Sequence, residues 1–149
     1  MHNKQIKARK NSIVSYFKNA GTDHNLSITG QEILRDKVIG LDGPKRKLLI
    51  TEEKGEEFTT RVIDLEEISA CKVKKVYAAI NSHEYRKNRP EDYLKSIALE
   101  FEFRTGEEPA ITQFYKNTIN SIYEVRELED RAKHWATLLS KMLQKQPIA

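Results

Sequence analysis

The feature that most constrains the fold is an amphipathic pattern over residues 121–143, near the C-terminus. Apolar residues recur there three or four apart, the spacing that places side chains on one face of an α-helix. They are Ile122, Val125, Leu128, Ala132, Trp135, Leu139 and Met142. Ser121 and Glu124 match a capping box at the start. The pattern therefore predicts one long helix whose apolar face, bearing the chain's one tryptophan, covers another apolar surface.

The middle of the chain changes to a period of two and predicts the surface that this helix covers. Apolar and β-branched residues alternate with polar ones in short segments separated by turn residues, which is typical of antiparallel strands. The predicted strands are residues 38–41, 45–51, 58–65, 69–80, 92–104 and 110–115. Alternation is clearest over residues 97–103, so we expect that strand to bury one face. A lapse in the alternation near Lys75 and Val76 predicts a β-bulge or a bend.

The first 37 residues read as an arm that precedes the strands. Residues 2–10 are basic and free of acids, and the spacing that follows predicts a short helix at about residues 11–20. Thr29 and Glu32 resemble a second capping box, which predicts one or two helical turns over residues 30–36. We therefore expect an N-terminal arm, residues 1–37, and a body, residues 38–149. The basic start also resembles the cytosolic flank of a membrane anchor, so an ordinary tail and an anchored protein both stay open.

Composition bounds the class of protein. A chain of 149 residues is long enough for one domain with its own core. A net charge of +4 permits binding to nucleic acid or to an anionic membrane without requiring either. Cys71 is the one cysteine, which excludes an intrachain disulfide and fits a reducing compartment. No apolar run is long enough to span a membrane. We expect a cytoplasmic protein, with the membrane surface as a candidate location.

Motifs for catalysis and cofactor binding are missing from the sequence. It contains no glycine-rich phosphate loop and no HExxH, CxxC or GxSxG pattern. Asp130 and His134, with Glu127 nearby, have a spacing that could ligate a metal, but they lie opposite Trp135, where a solvated stripe is expected. Cys71 lies in an alternating strand and is expected to be a core residue. We therefore expect no cofactor, no metal and no enzymatic activity. A metal-dependent enzyme is the most distant alternative.

Two groups of basic residues are candidate sites for anions or phosphate, because cationic side chains and arginine forks bind such groups. The first consists of Lys45, Arg46 and Lys47 after a predicted turn, with Lys72, Lys74 and Lys75 of a strand; the second consists of Arg86, Lys87 and Arg89 in the predicted loop 81–92. The alternative interpretation is that both groups only solvate strand edges and a loop.

Strands from about residue 38 to 116, followed by one amphipathic helix carrying Trp135, resemble the pleckstrin-homology-like superfold. There, two antiparallel sheets, usually with seven strands in all, form a half-open barrel that a C-terminal helix plugs at one end. The resemblance covers residues 38–143 and implies an α+β, mainly antiparallel fold of six to seven strands. Phosphoinositide-binding members place spaced basic residues on the first hairpin. Lys45, Arg46 and Lys47 are expected on that hairpin, although they are adjacent rather than spaced.

The functional prediction favours a non-catalytic binding or docking module, because no catalytic cluster accompanies this order of elements. Its partner is expected to be a protein or an anionic membrane surface, with Lys45, Arg46 and Lys47 reaching the headgroups in the second case. The alternative is a nucleic-acid-associated protein that uses the basic arm and the loop 81–92. Binding to nucleic acid would weaken steeply as salt rises, which distinguishes it from docking to a protein.

Overall fold

A computed structural model describes residues 2–79 and 93–144, with side chains from residue 12 to 79 and from 93 to 143. The predicted α+β class is confirmed: the strands form two antiparallel sheets, of four and three strands, with one helix near each end of the chain. The chain divides into two compact units, residues 1–65 and 66–149. Each unit holds one helix and the sheet on which that helix packs.

The first unit consists of a helix and a four-stranded meander. Its elements are α1 (His2–Asp23), β1 (Gly30–Ile33), β2 (Lys37–Asp42), β3 (Lys47–Lys54) and β4 (Glu57–Asp64). Each strand pairs with the next in the antiparallel sense, giving the order β1-β2-β3-β4. Ile13, Phe17 and Ala20 lie at helical spacing and are buried with Val38 and Leu49. The helix therefore packs on β2, β3 and β4 and belongs to the unit's core.

Helix α1 is longer than the predicted residues 11–20. It runs from His2 to Asp23, and Asn25 then turns the chain in the left-handed conformation, with φ 57°. The change of period that suggested an arm and a body falls at the start of β2, inside the first unit. The predicted domain boundaries, residues 1–37 and 38–149, stay a prediction.

The helical turns predicted over residues 30–36 are wrong, because this segment supplies strand β1. Gly30–Ile33 pairs antiparallel with residues 38–41 of β2. Thr29, taken from the sequence as a helix cap, uses its hydroxyl across the sheet instead. Its Oγ1 donates to the Leu41 carbonyl at 3.0 Å and accepts from the Gly43 N–H at 3.1 Å. Pairing with β2 thus outweighs a local capping pattern.

The second unit consists of a three-stranded sheet and the C-terminal helix. Its elements are β5 (Ile68–Tyr77), β6 (Leu94–Phe103), β7 (Ala110–Lys116) and α2 (Val125–Gln144). The sheet order is β5-β6-β7, all antiparallel. The register shifts between Val76 and Tyr77, which confirms the predicted bulge. The described ranges contain seven strands, within the predicted six to seven. These strands pair as two separate sheets, and strand pairing does not close them into a barrel.

Helix α2 confirms the prediction made from its periodicity. A short 3-10 turn, Ile122–Glu124, precedes it, and Ser121 and Glu124 form the predicted capping box. Most of the predicted apolar face is buried; the buried members are Val125, Leu128, Ala132, Trp135 and Leu139. The helix packs on β5, β6 and β7, and the Ser140 hydroxyl donates to the Cys71 carbonyl at 3.2 Å. Ile122 differs from the prediction because it precedes the α-helix and is 42% exposed.

None of the helices in residues 2–79 and 93–144 combines the length and the low polarity needed to cross a membrane.

Candidate functional site

Residues 43–46 form the turn between β2 and β3 and carry the first predicted basic group. The Arg46 N–H donates to the Gly43 carbonyl at 3.2 Å, which closes the turn. Arg46 itself has a φ of 58°, a conformation that residues other than glycine adopt rarely. Pro44 and Lys45 are exposed at the tip, whereas Arg46 and Lys47 are half-buried. We call residues 42–47 the β2–β3 turn.

The β2–β3 turn belongs to the second hairpin of its sheet, not to the first. The prediction counted it as first because β1 was not recognised as a strand. The first hairpin joins β1 to β2 through residues 34–36, and Arg35 is the one basic residue of that connection. The position of Lys45, Arg46 and Lys47 therefore differs from the one that the resemblance implied.

The buried carboxylate of Asp42 anchors the turn. Its side chain is 1% exposed and accepts from the Lys45 N–H at 3.0 Å and from the Ser27 N–H at 2.8 Å. These hydrogen bonds lower the pKa of Asp42, because they stabilise the charged carboxylate. The bond from the Lys45 N–H has the largest effect. Thr29 adds the bond to the Gly43 N–H. The segment between α1 and β1 thus holds the turn from one side.

The three basic side chains of the turn differ in their burial and in their contacts with the rest of the protein. The Lys45 ammonium donates to the Asn25 carbonyl, a neutral partner that leaves its charge in place. Arg46 makes contacts within the chain, its Nε is buried, and its carbonyl accepts from the Leu65 N–H at 2.9 Å. Lys47 begins β3, opposite Asp42 of β2 on one side and Asp64 of β4 on the other. Lys45 is therefore the exposed cation of the turn, and Lys47 is a half-buried one beside it.

The lysines of β5, which the sequence grouped with this turn, are neutralised by glutamates within the second unit. Lys72 pairs with Glu102 at 2.7 Å and Lys74 with Glu100 at 3.3 Å. The hydrogen bond that the Lys72 ammonium donates to Glu102 raises the pKa of Lys72. Lys75 pairs at 2.8 Å with Glu129 of α2. These cations stabilise the sheet and its helix, and their charge is largely cancelled by their partners.

Glu129 is a structural residue that sequence reasoning missed. Besides Lys75, it accepts from Lys133 one helical turn further along α2, at 2.9 Å. The hydrogen bonds from Lys133 and Lys75 lower the pKa of Glu129. A glutamate four residues before a lysine was a visible signal for the pair within the helix. Its contact with β5 depends on the tertiary fold and had no such signal.

Lys37 is the buried cation of the first unit. Its side chain is 1% exposed, and its Nζ lies 3.2 Å from Asp36 and 3.5 Å from Glu52. These contacts join the β1–β2 hairpin to β3. A buried charge needs such partners because leaving water costs it several kcal/mol, on the order of what a buried pair regains. We therefore infer that Lys37 stabilises the packing of the first unit and does not bind a ligand.

The other candidate residues do not come together as a reactive site. Glu127, Asp130 and His134 are exposed on α2, and Glu127 pairs with Arg131 at 2.6 Å. In the described ranges, no three His, Cys, Asp or Glu side chains are placed to share a metal ion. Cys71 is a core residue, as predicted, and burial raises the pKa of its thiol to about 12. Its sulfur is therefore protonated near neutral pH and a poor nucleophile.

The second predicted basic group, Arg86, Lys87 and Arg89, lies outside the described residues and stays a prediction. Comparison of the chain with protein-family models, with curated proteins and with solved structures found no match. The β2–β3 turn is thus the predicted basic site whose geometry the structure describes. Chemically, it combines the exposed Lys45 and the half-buried Lys47 with a buried carboxylate that fixes the main chain, an arrangement that can attract anions.

Proposed function

We propose that this protein is a non-catalytic docking module that attaches to anionic membrane surfaces through the β2–β3 turn. The observation that carries the proposal is the anchoring of that turn. Asp42 and Thr29 hold its main chain, while Lys45 stands exposed at the tip and donates to an uncharged carbonyl. The lysines of β5, by contrast, are paired with glutamates. A fixed turn loses little conformational entropy on docking.

We also propose the pleckstrin-homology-like architecture for the chain. Its support is the number and order of the elements: four antiparallel strands, then three, then a C-terminal helix that carries a buried tryptophan. The basic residues lie on the second hairpin, so the resemblance gives no support to a phosphoinositide site of the family's kind. The membrane proposal accordingly rests on the turn itself.

The expected affinity is low. A basic residue close to an anionic surface contributes about 1 kcal/mol, so Lys45 and Lys47 together contribute about 2 kcal/mol before the cost of association. Asp42 lies beside both lysines and offsets part of this attraction. Binding through the turn alone therefore has a dissociation constant of about 30 mM or weaker, the value that corresponds to about 2 kcal/mol. Such binding orients a protein that a second attachment already holds at the membrane.

Sedimentation with vesicles of phosphatidylcholine and phosphatidylserine at low salt tests the proposal. The double variant Lys45→Gln/Lys47→Gln should bind about tenfold more weakly than the wild type, because two lysines near the surface are lost. The matched control is Lys72→Gln/Lys74→Gln, which removes the same formal charge from side chains already paired with glutamates. It should bind within about twofold of the wild type, because the proposed contact is the β2–β3 turn and not strand β5.

Equal losses in the two double variants would contradict the proposal, because only net charge would then matter. Thermal unfolding followed by circular dichroism checks that both variants fold. Binding of the wild type to duplex DNA but not to vesicles would favour the nucleic-acid alternative. That alternative depends on residues 2–10 and on the loop 81–92, whose side chains lie outside the described part of the chain.

A further inference from the structure

The main chain of the β2–β3 turn has no N–H group left for a ligand between residues 43 and 46. The three N–H groups there are all used inside the protein: Gly43 donates to Thr29 Oγ1 at 3.1 Å, Lys45 to Asp42 Oδ1 at 3.0 Å and Arg46 to the Gly43 carbonyl at 3.2 Å. Pro44 has no N–H. Sites that recognise an individual phosphate commonly use main-chain N–H groups that converge on it. This turn offers no such concavity.

The side chains of the turn also lack a directional donor aimed outward. Arginine recognises phosphate through a planar fork of N–H groups, but Nε of Arg46 is buried and Arg46 has contacts within the chain. Lys45 and Lys47 supply ammonium groups, which act as compact point charges on flexible stems. Such groups respond to the density of negative charge and impose little geometry on its carrier.

A change of shape on binding does not readily create a phosphate site here. Turning the N–H groups of Gly43 and Lys45 toward a ligand breaks their bonds to Thr29 and Asp42. The Asp42 carboxylate is almost fully buried, so losing a donor leaves it poorly satisfied. The anchored conformation is therefore also the one expected on the membrane.

We infer that the β2–β3 turn binds anionic lipid bilayers by their surface charge and does not distinguish one headgroup from another. This inference rests on the proposed membrane docking and specifies its ligand class. The ligand is a bilayer of sufficient negative charge density, whether that charge comes from phosphatidylserine or from a phosphoinositide. The turn accordingly responds to the charge of a membrane rather than to the presence of one signalling lipid.

Two vesicle preparations of equal zeta potential test this inference, one charged with phosphatidylserine and the other with phosphatidylinositol 4,5-bisphosphate. The wild-type dissociation constants should agree within about twofold and rise alike with salt, because charge alone is sensed. Soluble inositol trisphosphate, added at constant ionic strength, should not displace the protein. Tighter binding to the phosphoinositide vesicles by fivefold or more, on the order of one added directional contact, would overturn the inference, as would displacement by the soluble headgroup.

The possible outcomes distinguish a failure of this inference from a failure of the membrane-docking proposal on which it rests. Selective binding that Lys45→Gln/Lys47→Gln abolishes leaves membrane docking intact and overturns only the lack of selectivity. Absence of binding to both preparations overturns both statements. Binding that the double variant and the Lys72→Gln/Lys74→Gln control weaken equally also overturns both, because the turn is then not the contact. Equal binding to both preparations, weakened by Lys45→Gln/Lys47→Gln alone, supports both.

Discussion

Gly40 is the residue that lets α1 approach the four-stranded sheet. A Cβ atom placed on Gly40 would lie 2.3 Å from Cζ and 2.9 Å from Cε2 of Phe17, closer than real side chains pack. Phe17 is 2% exposed, so its ring has little room to move away. The ring thus rests directly on the main chain of β2, and this contact selects a glycine at a strand position where glycine is otherwise unfavourable.

The substitution Gly40→Ala should therefore lower the free energy of unfolding by about 1–3 kcal/mol, since overpacking forces the ring or the strand to shift. Gly30→Ala is the matched control in the same sheet, because a Cβ there meets nothing within 4 Å. It should stay within about 0.5 kcal/mol of the wild type. Urea unfolding followed by far-ultraviolet circular dichroism measures both. Equal stability of the two variants would show that Phe17 does not depend on Gly40.

The Phe17→Leu substitution extends this test. Alone, it should destabilise the first unit, because a smaller side chain leaves part of the space above Gly40 empty. In the Gly40→Ala background its cost should be smaller, since the added methyl group partly fills that space. A double-mutant cycle measures this difference. Strictly additive effects would mean that the two residues do not interact.

Asp42 makes the stability of the first unit depend on pH. Its pKa is lowered in the folded state by hydrogen bonds from the Lys45 and Ser27 N–H groups, and the charges of Lys45 and Lys47 also lower it. The stabilisation by the ionised carboxylate is therefore complete above the unfolded pKa, about 3.9. It is lost as the pH falls through the lower folded value.

Asp42→Asn should accordingly be less stable than the wild type at pH 7, and the gap between them should narrow at acid pH, where Asp42 becomes protonated. Urea unfolding at pH 7 and at pH 3 measures the two gaps, with other carboxylates common to both proteins. A gap that stays constant across this range would show that the charge of Asp42 does not stabilise the turn.

Among the secondary-structure elements, the long periodic ones and the short strands beside clear turn signals were predictable, whereas β1 was not. Helix α2 was identified because its apolar spacing and its capping box are both local signals, and the structure contains both. The strand Leu94–Phe103 had a sustained alternation and was also identified. Strand β1 has four residues, too few for a period to show. Its pairing with β2 joins residues that are separate in sequence and has no local signal. In addition, Thr29 and Glu32 match a capping box, which favoured the interpretation of this segment as a helix start.

Substitution of Trp135 tests how α2 packs on its sheet. It is 4% exposed on the face that packs on β5, β6 and β7, whereas its neighbour His134 is exposed. Trp135→Ala should cost about 3–5 kcal/mol, because a large cavity replaces the ring. His134→Ala should stay within about 0.5 kcal/mol of the wild type. Denaturant unfolding measures both, and a native fluorescence maximum typical of a fully exposed tryptophan would contradict the packing of this helix.

The candidate site could be predicted in part. The Asp42-Gly43-Pro44 signal correctly predicted a turn, because each of these residue types favours turns for a local reason. The turn extends through Arg46, so Lys45 and Arg46 lie within it and not in the strand predicted from residue 45. The anchoring by Ser27 and Thr29 could not be predicted, since those residues lie 15 and 14 positions away from their partners. The neutralisation of the β5 lysines depends on strand register, which also brings together residues that are distant in sequence.

In the molecule as a whole, which has a net charge of +4, cations paired with glutamates differ from the lysines of the β2–β3 turn in how strongly they can attract an anion. Many cations are paired: Lys72, Lys74, Lys75, Arg131 and Lys133 each lie beside a glutamate. Paired surface charges attract a distant anionic surface weakly, because each pair acts as a dipole that salt screens. We therefore expect the lysines of the β2–β3 turn to contribute more to attraction by an anionic surface than their share of the charge, as the proposed docking requires.

A fluorophore placed in the β2–β3 turn tests directly whether this turn contacts the membrane. Pro44→Cys and Glu56→Cys introduce exposed thiols into the turns at the two ends of strand β3, within one unit and about 25 Å apart along the strand. Cys71 does not compete for the label, because it is buried and its pKa is raised to about 12. Energy transfer from each labelled protein to acceptor lipids in anionic vesicles reports the distance of each connection from the bilayer.

We expect low-salt addition of vesicles to produce strong transfer from residue 44 and weak transfer from residue 56. Introducing Lys45→Gln and Lys47→Gln should abolish the signal from residue 44. Equal transfer from both positions, or stronger transfer from residue 56, would contradict docking through the β2–β3 turn.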